Sequence, residues 1–171
     1  MTTHSREPGT PPGTAVPLSA DERAAVTALA AGHTIAGAAK LLGQHYRTVN
    51  NRVARVNQRL GFHRTVLTVA RCVAGGAIDT AEITRDVTLP LPELSAEQLA
   101  VMTALAGHDS AQAADLLSIP ERKVKETARE VGRLLRTRTR GHTLAVLLTT
   151  GTIPATAALP RPSVANAGAA A

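Results

Sequence analysis

The sequence repeats itself, and that repeat limits the fold more than any other feature. Residues 18–31 read LSADERAAVTALAA and residues 94–106 read LSAEQLAVMTALA. Each block opens with Leu-Ser-Ala-acid and closes on Thr-Ala-Leu-Ala. After a one-residue deletion in the second copy, the register holds at an offset of 75. Gly32-His33 then matches Gly107-His108, Ala38-Ala39 matches Ala113-Ala114, and Leu41-Leu42 matches Leu116-Leu117. Val49, Val56 and Leu60 match Val124, Val131 and Leu135, and Gly76-x-Ile78 matches Gly151-x-Ile153. Two Ala-rich helices could share the first block by chance, but not the whole register. A chain of 171 residues built this way folds as two similar small units.

Those units are expected to be all-α. Hydrophobic residues make up 44% of the chain, yet aromatic residues only 1%. A sandwich or barrel draws on aromatic and β-branched side chains, whereas this apolar content is mostly Ala, Leu and Val, which favours closely packed helices. A single cysteine, Cys72, excludes an intramolecular disulfide and a Cys-based zinc cluster. No apolar run approaches membrane-spanning length, and the first residues, MTTHSREPGTPPG, lack an apolar signal core. The expectation is a soluble, cytoplasmic, nucleoid-associated protein.

Each copy parses into four short helices. Ser19 and Ser95 are N-caps, with Glu22 and Gln98 three residues on completing capping boxes. The first helix runs to Ala31 or Ala106 and stops at Gly32 or Gly107. Thr34 and Asp109 cap a second helix that ends near Leu42 and Leu117. Gly43 sits in the following turn; Ser118 replaces it in copy two, where Pro120 suits a first helical turn. A third helix spans about 46–60 and 121–135. Its residues Val49, Val53, Val56 and Leu60 recur at i, i+4, i+7 and i+11 as one buried stripe, repeated by Val124, Ala128, Val131 and Leu135. A fourth helix covers about 65–74 and 140–149. The expected domains are therefore 18–78 and 94–153. Residues 79–93, with Pro90 and Pro92, form the linker, and the Pro-, Gly- and Ala-rich stretches 1–17 and 154–171 form disordered tails.

Charge is concentrated in equivalent parts of the repeat. The window 45–65 holds Arg47, Arg52, Arg55, Arg59 and Arg64 with no acid. The window 120–140 holds Arg122, Lys123, Lys125, Arg129, Arg133, Arg136, Arg138 and Arg140 against Glu121, Glu126 and Glu130. These windows carry more positive charge than the +6 of the whole chain, so the remainder is acidic on balance. Such a balance suits nucleic acid, an acidic partner or a membrane surface. With the Val49 stripe at 0° on a helical wheel, Arg47, Asn50, Asn51, Ala54, Asn57 and Gln58 fall at about 80–200°, opposite the core. In copy two the same arc holds Arg122, Lys125, Glu126, Arg129, Gly132 and Arg133. Asn and Gln are poor choices for a merely solvated helix face, but they suit adenine edges, as Arg and Lys suit guanine or phosphate. Arg52, Arg55 and Arg59 form a separate flank that could reach phosphates or pair with Asp21 and Glu22.

A helix, a short turn and a basic helix describe a helix-turn-helix. The stretch LSADERAAVTALAAGHTIAGAAKLLGQHYRTVNNRVARVNQRLG resembles the LuxR-type (GerE) DNA-binding domain. The matching features are the Leu-Ser-x-x-Glu opening, the small-residue second helix, the Thr-Val-x-Asn of Thr48–Asn51, Leu60-Gly61 and the closing Gly76-x-Ile78. Copy two keeps Lys123-Val124-Lys125, but Arg136 stands where the glycine belongs. The resemblance implies two tandem four-helix domains of a bacterial transcriptional regulator that reads double-stranded DNA. Carried over residue by residue, it places base contacts at Asn50, Asn51, Ala54 and Arg55, and at Lys125, Glu126, Arg129 and Glu130. Phosphate contacts fall on Arg47, Thr48, Arg122 and Lys123, with Arg133 on the same arc.

Nothing in the sequence points to an enzyme, a cofactor or a metal. The six His show no metal spacing, Cys72 sits among apolar residues, and Gly75-Gly76 lacks the Gly-Lys-Ser/Thr of a phosphate loop. One chain is expected to span two half-sites, as a monomer acting as a pseudo-dimer or as a weak homodimer. The linker residues 79–93, at about 3.3 Å each, could reach roughly 50 Å, so direct and inverted half-sites both stay open. The alternative reading is an adaptor that binds RNA polymerase, a sigma factor or another regulator, with copy two the better candidate. Two departures from the family pattern carry structural expectations. Gln44 in place of an apolar turn residue loosens the first turn, and the missing glycine after Leu135 lengthens or redirects the helix there.

Overall fold

Helix starts follow the caps. The computed structural model describes residues 16–159. Its helices are α1 (Ala20–Ala30), α2 (Ile35–Leu41), α3 (Tyr46–Leu60), α4 (Thr65–Ala74), α5 (Ala96–Gly107), α6 (Ser110–Leu117), α7 (Glu121–Leu134) and α8 (Arg140–Thr149), followed by a 3-10 turn at Ala155–Ala158. No strand occurs among the described residues. The fold is all-α. Ser19 and Ser95 both make the reciprocal capping-box bonds with Glu22 and Gln98. Thr34 caps α2, and Asp109 caps α6 with a further box to Gln112. Backbone amides of Gln112 and Ala111 donating to the Asp109 carboxylate hold its pKa below the ordinary value.

The buried stripe of α3 is Val49, Val53 and Val56, and that of α7 is Val124, Ala128 and Val131. Each stripe packs on its own α1–α2 or α5–α6 pair. The copies then join through their fourth helices. α4 lies against α8, α4 also meets α5, and α8 also meets α1. Because α8 is the repeat equivalent of α4, and α5 of α1, these contacts are reciprocal. A two-fold relation produces that pattern; head-to-tail stacking does not. One core runs through both copies, and at its centre Gly141 to Leu148 of α8 are all buried.

Residues 79–93 form no helix, but they do not hang free as an extended tether. Ile83 is 1% exposed, and Val87 and Leu91 pack on the core. The expected tails are also shorter at their inner ends than their composition suggests. Val16 is buried, and the 3-10 turn packs on α4 and α5 with Ala158 buried. Small alanines there lose little side-chain entropy on ordering, so modest burial suffices. The rest of both expected tails, 1–15 and 160–171, lies outside the described residues.

The two departures resolve differently from expectation. Gln44 is tied down: its amide oxygen accepts from the Arg52 guanidinium, which also reaches Asp21. The missing glycine does not lengthen α7, because Arg136 adopts φ +54, the left-handed conformation that Gly61 takes at φ +70. Ser118 does the same at φ +53 in place of Gly43. Copy two therefore keeps the backbone of copy one at the cost of strain in two non-glycine residues.

His142 fastens the junction between the copies and the connecting segment. Its Nε2 lies 3.1 Å from the Ile83 carbonyl oxygen, and its Nδ1 lies 3.5 Å from the Arg138 amide nitrogen. Only the neutral Nε2–H tautomer serves both, donating to the carbonyl and accepting from the amide. Burial pushes the imidazole pKa below its ordinary 6.5, and the Arg138 charge adds to that. The unfolded chain thus binds a proton near pH 6.5 that the folded chain refuses, so stability is full above that pH and declines as pH falls below it. The urea midpoint should drop between about pH 8 and about pH 5.5, across the ordinary imidazole range. His142→Gln should flatten that drop; an equal drop in the variant would place the titrating group elsewhere.

Candidate nucleic-acid interface

The burial of Val49, Val53 and Val56 fixes which side of α3 faces outward. Arg47, Thr48, Asn51, Ala54 and Arg55 are exposed there, and Asn50 is half-buried. On α7, Arg122, Lys123, Glu126, Arg129, Glu130 and Arg133 are exposed and Lys125 is half-buried. All the residues expected to contact DNA thus reach the surface, most of them on the outward arc of their own helix and Thr48, Arg55, Lys123 and Glu130 on its flank.

Three members of the wider arc and flank, Asn57, Arg52 and Arg59, do not belong to that face. Asn57 is engaged inside copy one: its Oδ1 accepts from Thr68 Oγ1 at 2.6 Å and its Nδ2 donates to Thr65 Oγ1 at 3.3 Å. Those bonds tie the end of α3 to the start of α4. The arginine flank also divides. Arg52 pairs with Asp21 at 2.5 Å, and Arg59 pairs with Glu22, whose side chain is only 8% exposed. Hydrogen bonding from Arg59 holds the Glu22 carboxyl below the ordinary range. These two cations brace α3 on α1. Arg47 and Arg55 enter no ion pair among the described residues, and no acid occurs anywhere from Arg23 to Ile78.

The α7 face carries more charge of both signs. Arg122 pairs with Glu126 at 3.4 Å, Lys125 with Glu121 at 2.7 Å, and Lys123 with Glu97 of α5 at 3.0 Å. Hydrogen bonding to Glu97 holds the Lys123 pKa above its ordinary value. Arg129 and Arg133, further along the helix, enter no ion pair among the described residues.

Two features at the start of α3 escape sequence reasoning. His45 is its N-cap, with Nδ1 accepting from the Arg47 amide at 3.3 Å. Tyr46, the chain's one tyrosine, is 52% exposed beside Arg47. Its position on a helix start, outside the apolar stripe, was the available signal. An aromatic ring there adds a stacking or van der Waals surface to the polar face.

Other chemistry has little support in the geometry. Burial pushes the Cys72 thiol up to about 12, which makes it inert. Among the described residues no cluster of His, Cys, Asp or Glu could hold a metal ion, and no helix is long and apolar enough to cross a membrane. An open cleft of about 460 Å³ lies between α1, the end of α2 and residues 79–82, lined by Thr27, Ala28, Leu41 and Leu42 with Arg23, Asp79 and Glu82 at hand. It holds no convergent set of catalytic groups. No family model, curated protein or solved structure matches the chain.

Proposed function

We propose that this chain is a double-stranded DNA-binding transcriptional regulator with two tandem LuxR-type helix-turn-helix domains, working as a single-chain pseudo-dimer and not as an enzyme. The observation that carries the reading is the outward face of α3. It presents Arg47, Asn50, Asn51 and Arg55 to solvent, within a stretch from Arg23 to Ile78 that contains no carboxylate. Neutral amides beside cations make chemical sense against base edges flanked by phosphates. The reciprocal packing of α4 on α8 supports the pseudo-dimer, because it relates α3 and α7 as a two-fold would. Half-sites in inverted orientation follow from that relation.

The test is binding to duplex DNA selected from a random pool, measured across salt concentration. If each copy neutralises about three to five phosphates, the log–log slope of affinity against salt falls between about −5 and −9. Asn50→Ala or Asn51→Ala should cost roughly 1–3 kcal/mol on the best site, relax choice at one or two base pairs and leave the slope unchanged. A slope shallower than about −2 would remove the phosphate contacts on which the reading rests.

A further inference from the structure

We infer that the two copies are unequal readers: α3 specifies one half-site, while α7 is a sequence-tolerant clamp because its first turns are neutralised by the chain's own carboxylates. This rests on the DNA-binding reading above and deepens it. At equivalent positions the two helices differ in kind. Arg47, Thr48, Asn50 and Asn51 of α3 correspond to Arg122, Lys123, Lys125 and Glu126 of α7. On α3 the cation is unpaired among the described residues and the amides carry no net charge. On α7 every one of the three cations meets a carboxylate: Arg122 meets Glu126, Lys125 meets Glu121, and Lys123 meets Glu97.

A phosphate approaching α7 must therefore displace a carboxylate that stays tethered a few ångströms away. Exposed ion pairs are weak enough to be displaced, but the tethered acids then repel the same phosphates. Glu126 could accept from a cytosine amino group, yet it is held by Arg122 and faces the phosphate field with its charge intact. Further along α7, Arg129 and Arg133 are exposed and unpaired among the described residues, so that end still attracts the DNA backbone. Backbone attraction without a usable base-reading end is what makes a clamp. The two-fold packing fixes where it lands relative to the half-site read by α3.

The full-length chain tests this in two measurements. Selection from random DNA should return sequence information in one half-site, with the two-fold-related half unspecified. Glu97→Gln/Glu121→Gln, which leaves every candidate DNA contact in place, should raise affinity for all duplexes about 3–10-fold near physiological salt. Releasing two cations should also steepen the salt slope by roughly two, one per phosphate gained. Two equally informative half-sites, or a double variant with unchanged affinity and slope, would overturn the inference. If Arg129→Ala/Arg133→Ala left affinity for every duplex intact, α7 would not touch DNA and the clamp would be wrong. Absence of salt-dependent binding by the unmodified chain is a separate result, and it would remove the DNA-binding reading itself.

Discussion

Leu147→Ala is expected to lower the free energy of unfolding by about 2–5 kcal/mol, the usual cost of emptying a fully packed leucine site. Leu147 is 0% exposed on α8, the helix whose residues from Gly141 to Leu148 are all buried. α1, α4, α5 and α7 all pack around α8, so four neighbours would have to move to fill the void. Each copy alone is about 60 residues, a size at which burial is only marginally sufficient. The shared α4–α8 contact offsets that weakness by giving both copies one core. The loss should therefore appear as a single urea transition, followed by far-UV circular dichroism, with its midpoint lowered for the whole chain. Two separate transitions, with only the second copy shifted, would show that the copies unfold independently.

Local signals were readable from sequence because their causes are local. Ser19 with Glu22, Ser95 with Gln98, Thr34 and Asp109 each cap a helix with a side chain two or three residues from the amide it serves. The valine stripes followed from a period that any amphipathic helix must keep. Tertiary partners were not readable. Asn57 has the composition and wheel position of a DNA contact, but its partners Thr65 and Thr68 become neighbours only after α4 folds back. Arg52 and Arg59 could equally have served DNA or α1, and only packing decides for Asp21 and Glu22. The pairing of the copies had one trace in the sequence: α4 carries Arg71 where α8 carries Val146, so that Leu144 to Leu148 form an unbroken apolar run suited to burial. The left-handed Arg136 had a trace only in the repeat, which aligns it with Gly61, since nothing local favours that conformation in arginine.

Gly32→Ala is expected to cost about as much as the leucine truncation, for a reason outside helix capping. Gly32 ends α1 at φ +95, which disfavours any side chain by about 1–2 kcal/mol. A Cβ built there would lie 2.6 Å from His142 Nδ1 and 3.2 Å from its Cγ. The imidazole cannot simply swing away, because Nε2 is bound to the Ile83 carbonyl and the ring is 4% exposed. Forcing the ring aside breaks the contact between copy two and the connecting segment, an overpacking penalty of roughly 1–3 kcal/mol. The combined cost is then about 2–5 kcal/mol if backbone and packing terms add. Gly61 supplies the control: its φ is +70 and a Cβ there meets nothing within 4 Å, so Gly61→Ala carries the backbone cost alone. Urea midpoints of the two variants should differ by the packing cost, and His142→Ala combined with Gly32→Ala should recover part of it as a favourable coupling. Equal midpoints for Gly32→Ala and Gly61→Ala would mean that His142 does not press on the end of α1.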